Sequence, residues 1–136
     1  YVSSPLPGKS KTILLIDDDE SVRHSLSMLF EIHGWRTIAA PSGAEAIIVL
    51  QNEAIDLIVT DIFMPDFDGL EMLREVSKQW PELPTIVLSG KPNWGDIDWL
   101  RMARHLGAHA VLEKTSAFDD VLREVEAAVL LGADAI

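Results

Sequence analysis

Asp17, Asp18 and Asp61 stand at the ends of two short apolar runs, Ser89 ends a third, and Lys114 follows a fourth after Glu113. Brought to within about 5 Å, each pair of carboxylates would repel by roughly 3 kcal/mol at an effective dielectric near 20. A hard divalent cation removes that cost, because Mg²⁺ takes one or two carboxylates while keeping waters and accepting a phosphate oxygen. Such an ion would also orient an incoming phosphoryl group. The chemistry to look for is therefore metal-assisted handling of phosphate.

Each residue also has a plainer reading on its own. The DDDE run at 17–20 fits helix capping, since acidic residues after a strand complement the positive end of the next helix. Asp61 would simply open a loop, and Lys114 would be a solvated surface lysine. Only a fold that gathers all of them onto one rim gives them a common task.

The apolar runs that must do the gathering are ILLI at 13–16, WRTIA at 35–39, DLIVT at 56–60, TIVLS at 85–89 and AVLE at 110–113. Several are apolar at consecutive positions, the pattern of strands covered on both faces in a parallel sheet. Between them Val22, Leu26, Leu29 and Phe30, then Leu70, Leu73 and Val76, then Phe118, Val121, Leu122, Val125 and Val129 recur at helical spacing. Gly34, Gly69 and Gly107 mark element ends, and Pro65, Pro81 and Pro84 punctuate loops. The order is (βα)₅, which predicts a doubly wound α/β fold with helices on both faces of a five-stranded parallel sheet. In such sheets sites form beyond the carboxyl ends of the strands, where these polar residues lie.

At 136 residues and 48% hydrophobic composition one domain with a sizeable core is expected. The absence of cysteine excludes disulfides and thiolate metal sites, so a cytoplasmic setting is expected. No apolar run reaches the roughly 18 residues of a membrane span. A formal charge of −11 argues against direct nucleic-acid binding, which needs clustered Lys and Arg to displace counterions. Residues 1–11, YVSSPLPGKSK, read as a linker or expression remnant, residues 12–131 as the domain, and residues 132–136 as a tail. Because the chain opens on Tyr1, a processed or excised product is expected, with a partner domain elsewhere.

The motifs ILLIDDDE at 13–20, TDIFMPDFDG at 60–69, IVLSG at 86–90 and GAHAVLEK at 107–114 together resemble the receiver domain of two-component response regulators, over nearly all of residues 12–131. The resemblance implies a flavodoxin-like sheet of order 2-1-3-4-5. It implies Asp61 as phosphoacceptor, Asp18 as a direct Mg²⁺ (or Mn²⁺) ligand, Asp17 as a ligand through water, and the backbone carbonyl of Phe63 as a further ligand. It further implies that Ser89 hydrogen-bonds one phosphoryl oxygen while Lys114 neutralises another and pairs with Asp61 beforehand. The implied donor is a phosphohistidine on a sensor histidine kinase or histidine phosphotransfer protein. The implied output is a conformational change read by an effector domain or protein, with a weak phosphorylation-dependent homodimer.

Some positions depart from that family's pattern. Val111 stands at the switch position where an aromatic residue is usual, and a β-branched side chain, stiff at χ1, cannot make the same inward swing as Ser89 shifts. Thr115 replaces the proline after the lysine, which puts the aiming of Lys114 in question. The segment 89–107 is about two residues long for the family and carries Trp94 and Trp99, read as loop packing or as a partner surface. In that family the positions of Phe63 and Lys91 flank the path of water to the phosphoryl group; Phe63 offers no group to orient a water, and Lys91 cannot act as a base while protonated.

Two other classes compete. ILLIDDDESV also resembles the opening motif of haloacid-dehalogenase-type phosphatases, with Asp17 as nucleophile and Asp19 as acid. A non-phosphorylated pseudo-receiver, an interaction module on the same fold, is the other, and Val111 with Thr115 favours it.

Overall fold

A computed structural model describes residues 11–61, 69–90, 93–94, 97–114 and 116–134. Phe63, Lys91 and Thr115 lie outside the described residues. The chain runs β1 (Thr12–Ile16), α1 (Glu20–Ile32), β2 (Arg36–Ala40), α2 (Gly43–Asn52), β3 (Leu57–Thr60), α3 (Gly69–Gln79) and β4 (Thr85–Ser89). It continues through β5 (Asn93–Trp94), β6 (Ile97–Asp98), α4 (Trp99–His105), β7 (Ala110–Glu113) and α5 (Phe118–Asp134).

Five of these strands form one parallel sheet in the order β2-β1-β3-β4-β7. With the hairpin set aside, this is the expected 2-1-3-4-5 order. The consecutive apolar runs are explained by their two-sided burial. Ile13 and Leu15 of β1 point into a core with Phe30, Val121 and Val125, while Leu14 and Ile16 pack with Ala46, Leu50, Met72 and Val76. Helices α1 and α5 thus cover one face and α2 and α3 the other. Phe30 and Phe118 meet edge to face with ring centroids 5.1 Å apart, tying α1 to α5.

Helix ends follow their sequence signals. Helix α1 starts on the Asp19 side chain, which accepts from the backbone N–H groups of Ser21 and Val22. It stops where Gly34 takes φ 90°, with Trp35 N–H bonded to Phe30 O and Gly34 N–H to Glu31 O, the paired closure that a left-handed residue allows. Gly107, at φ 111°, closes α4 by the same pair of bonds, Ala108 N–H to Ala103 O and Gly107 N–H to Arg104 O. Gly69 is the first residue of α3.

One feature departs from the sequence reading. The stretch after Ser89 contains a short antiparallel hairpin, with Asn93 opposite Asp98 and Trp94 opposite Ile97. Each of its strands is only two residues long, too short for any periodicity to register. Helix α5 runs to Asp134, because Ala and Leu dominate its last turns and no breaker interrupts it before Gly132.

Candidate functional site

The site is built at the carboxyl ends of β1, β3, β4 and β7, four consecutive neighbours in the sheet. Beyond β1, the Asp17 N–H donates to Ala40 O at 3.2 Å, and beyond β3 the Asp61 N–H donates to Ile16 O at 2.9 Å. Beyond β7, the Lys114 N–H donates to Ser89 O at 2.9 Å. Asp17, Asp61 and Lys114 are therefore each the first residue past a strand and still held by one more rung of the ladder. That last bond holds the Lys114 backbone in the β4–β7 register.

Carboxylate oxygens of Asp17, Asp18 and Asp61 lie within 4.8 Å of one another. Asp17 and Asp61 are buried, at 3% and 6% exposure, whereas Asp18 is open to solvent. The Lys114 ammonium donates to both buried members, 2.8 Å from Asp17 Oδ2 and 2.9 Å from Asp61 Oδ2. The expected pairing with Asp61 is present, and Asp17 shares it. One cation thus holds together two carboxylates that would otherwise repel in a poorly solvated place.

The balance shows in the titration of the two partners. Burial pushes the Asp17 carboxyl above its ordinary range, outweighing the hydrogen bonds from Lys114 and the Asp19 N–H that favour its charged form. For Lys114 burial works downward, but the hydrogen bonds to Asp17 and Asp61, with their charges, overcome it and hold the ammonium above its usual value. Asp17 therefore accepts negative charge at a cost that a second cation would reduce.

The donor set fits a hard divalent ion, being all oxygen, anionic and open on the Asp18 side. Among the described residues Asp17, Asp18 and Asp61 are the group of three that such an ion would need. Ser89 lies fully buried at the end of β4, beside Glu113 in register and bonded through its carbonyl to Lys114. Val111, at the expected switch position, packs in the core with Leu70, Leu73, Val87, Ala103 and Ala108, a short side chain with no ring to swing.

The capping reading of DDDE holds for one member of the triplet. Asp19 caps α1, while Asp17 and Asp18 stay on the rim. The phosphatase alternative needs Asp19 as a free acid, but its Oδ1 already accepts from Ser21 at 2.8 Å and Val22 at 3.4 Å. Sequence reading missed Arg23, whose Nη1 donates to the Asp17 backbone carbonyl at 2.6 Å. Its signal was its place four residues past the cap on α1, on the turn nearest the rim.

Comparison with known proteins agrees with this geometry. A family profile described as response regulator receiver domain matches residues 13–126. The transcriptional regulatory protein GlrR of Escherichia coli K12 is 31% identical over 123 residues, covering 85% of this chain and 27% of that protein. The response regulator MprA of a Mycobacterium species (strain KMS) is 33% identical over 116 residues, covering 85% of this chain and 49% of that protein. The chain thus spans half or less of the length of these curated relatives.

Among solved structures, a response regulator receiver domain protein from Clostridium thermocellum is 30% identical with a TM-score of 0.84, covering 93% of this chain and 99% of that one. The response regulator TrrA of Thermotoga maritima, solved in complex with Mg²⁺-BeF, is 26% identical with a TM-score of 0.76 and covers 87% and 98% of the two chains. With the sheet order, the acid-lysine cluster at the strand ends and a family match across residues 13–126 all in agreement, the chain belongs to the response regulator receiver domains of two-component systems.

Proposed function

We propose that this domain accepts a phosphoryl group on Asp61 in a Mg²⁺-dependent reaction, with a phosphohistidine on a sensor histidine kinase or phosphotransfer protein as donor. The observation that carries the reading is the Lys114 ammonium bridging Asp17 and Asp61 with the Asp18 carboxylate beside them. Bound there, Mg²⁺ would offset the carboxylate charge and draw a phosphoryl oxygen into its coordination sphere. Asp17, Asp18, Asp61 and the Phe63 backbone carbonyl would hold it, with Mn²⁺ as a substitute.

In the transfer an Asp61 carboxylate oxygen forms the new P–O bond as the donor's P–N bond breaks, and the leaving imidazole keeps the electron pair. Lys114 then moves its point charge from Asp61 to a phosphoryl oxygen, and Ser89 donates to another. Little covalent work is asked of the protein, since phosphoryl transfer is governed by in-line positioning and charge stabilisation. The domain catalyses its own phosphorylation and later hydrolysis, with Phe63 and Lys91 setting the lifetime. The output passes to an effector domain or protein, with a weak phosphorylation-dependent homodimer as one form of it. No helix among the described residues is long and apolar enough to cross a membrane, and a cytoplasmic location belongs to the same proposal.

The test is incorporation of phosphate from a small donor such as acetyl phosphate. Labelling should require Mg²⁺ and disappear in Asp18→Ala and Asp61→Ala. Ordinary labelling in both variants would defeat the assignment.

A further inference from the structure

Resting on that Mg²⁺ reading of the cluster, we infer that Arg23 is the positioning residue that sets the Asp18 carboxylate for the metal. Asp18 is exposed and has no hydrogen-bond partner for its side chain among the described residues. Its placement therefore comes from its backbone, and the two peptides that flank it are both pinned. The Asp17–Asp18 peptide is held by its carbonyl, which accepts from Arg23 Nη1 at 2.6 Å. The Asp18–Asp19 peptide is held by its N–H, which donates to Asp17 Oδ1 at 2.9 Å.

Because a peptide unit is planar, fixing its carbonyl also fixes the direction of the following Cα. Arg23 is itself anchored, since its N–H donates to Asp19 O at 3.1 Å in the first turn of α1, and Asp19 caps that helix. Helix α1 thus reaches back through one side chain and clamps the loop that leads into it. Without the guanidinium, the carbonyl of a residue that is 3% exposed loses its one described partner, and the peptide is free to turn toward water. Asp18 would turn with it.

Positioning and bulk charge make opposite demands. A guanidinium beside a cation site repels the cation, so removing its charge alone would tighten metal binding. Removing the clamp would loosen it, on the scale of about 10-fold to 100-fold that lost supporting contacts to metal ligands bring.

The experiment titrates the full chain with Mn²⁺, following the electron paramagnetic resonance signal of the free ion, with Mg²⁺ as competitor. Arg23→Met should weaken the affinity about tenfold or more, while melting without metal changes little. Arg23→Lys, which keeps the charge and one shorter donor, should fall between Met and the parent. Unchanged or tighter binding in Arg23→Met, or a Lys variant no better than Met, overturns the inference. A parent chain that takes up neither ion, or an Asp18→Ala variant that binds like the parent, overturns the Mg²⁺ reading and the inference with it.

Discussion

Replacing Lys114 by Met removes the ammonium while keeping most of the side-chain bulk, and it should destabilise the metal-free protein by an amount that Mg²⁺ largely restores. At 2.8 and 2.9 Å, each ion pair is worth about 6 kcal/mol of gross attraction at an effective dielectric of 20. Desolvation of three charges consumes most of that. Breaking a buried pair by deleting one partner costs about 3–5 kcal/mol, and the low end applies because the Lys114 side chain keeps 26% exposure. A loss near 3 kcal/mol lowers the melting temperature of a domain this size by about 12 °C.

The same deletion has a pH signature. Asp17 already titrates above its ordinary range, so its ionisation costs the fold, a cost absent in acid and growing as pH rises through its folded pKa. Lys114, held above its ordinary 10.5, contributes stability that is complete below that value and is lost as pH climbs through the folded one. The gap between parent and Lys114→Met should be small in acid, widest from neutral pH to about 10.5, and should close beyond it. Melting curves across pH, with and without saturating Mg²⁺, provide the assay. A gap that ignores both pH and Mg²⁺ would refute the view that Lys114 holds the place of a metal charge.

Asp18→Ala should raise the melting temperature of the metal-free protein while abolishing Mg²⁺ binding, because it relieves repulsion and breaks no described bond; a lower melting temperature would contradict this. Asp61→Ala should gain less, since the loss of the Lys114 contact offsets the relief. Metal affinity, measured by calorimetry over a pH series, should begin to fall on acidification at a pH above the ordinary Asp range, because proton and metal compete for Asp17. Gly107→Ala should cost about 1–3 kcal/mol in urea unfolding, since φ is 111° there and an added Cβ would lie 2.5 Å from Ser77 Oγ. Phe63→Asn with Lys91→Glu should shorten the acyl-phosphate lifetime by roughly tenfold, read as decay after the donor is removed.

What was legible in the sequence was what local chemistry dictates. Two-sided apolar runs such as ILLI marked the buried strands, and the residues ending them marked the rim because each strand stops where a polar group begins. What stayed hidden depended on distance through the fold. Nothing in DDDE says which aspartate caps the helix and which stay on the rim; that is settled by the backbone turning at Asp19 so that its own carboxylate meets the N–H groups of Ser21 and Val22. The sharing of Lys114 between Asp17 and Asp61 needs the registers of four strands at once. Arg23 reads in the sequence as a surface arginine, since its partner is a backbone carbonyl, and only its place four residues past the Asp19 cap points to the rim. The hairpin at Asn93–Asp98 has one local signal, Gly95-Asp96 as the two residues between its strands.

The most direct measurement locates the acyl phosphate. After treatment with acetyl phosphate and Mg²⁺, borohydride reduction converts a phosphorylated aspartate to homoserine, which mass spectrometry can assign to a residue. Trypsin separates the candidates, because Asp17 falls in the peptide Thr12–Arg23 and Asp61 in Thr37–Arg74. Homoserine at position 61, dependent on Mg²⁺, is the expected result. Homoserine at position 17, or at neither position under conditions where Mg²⁺ binds, would contradict it.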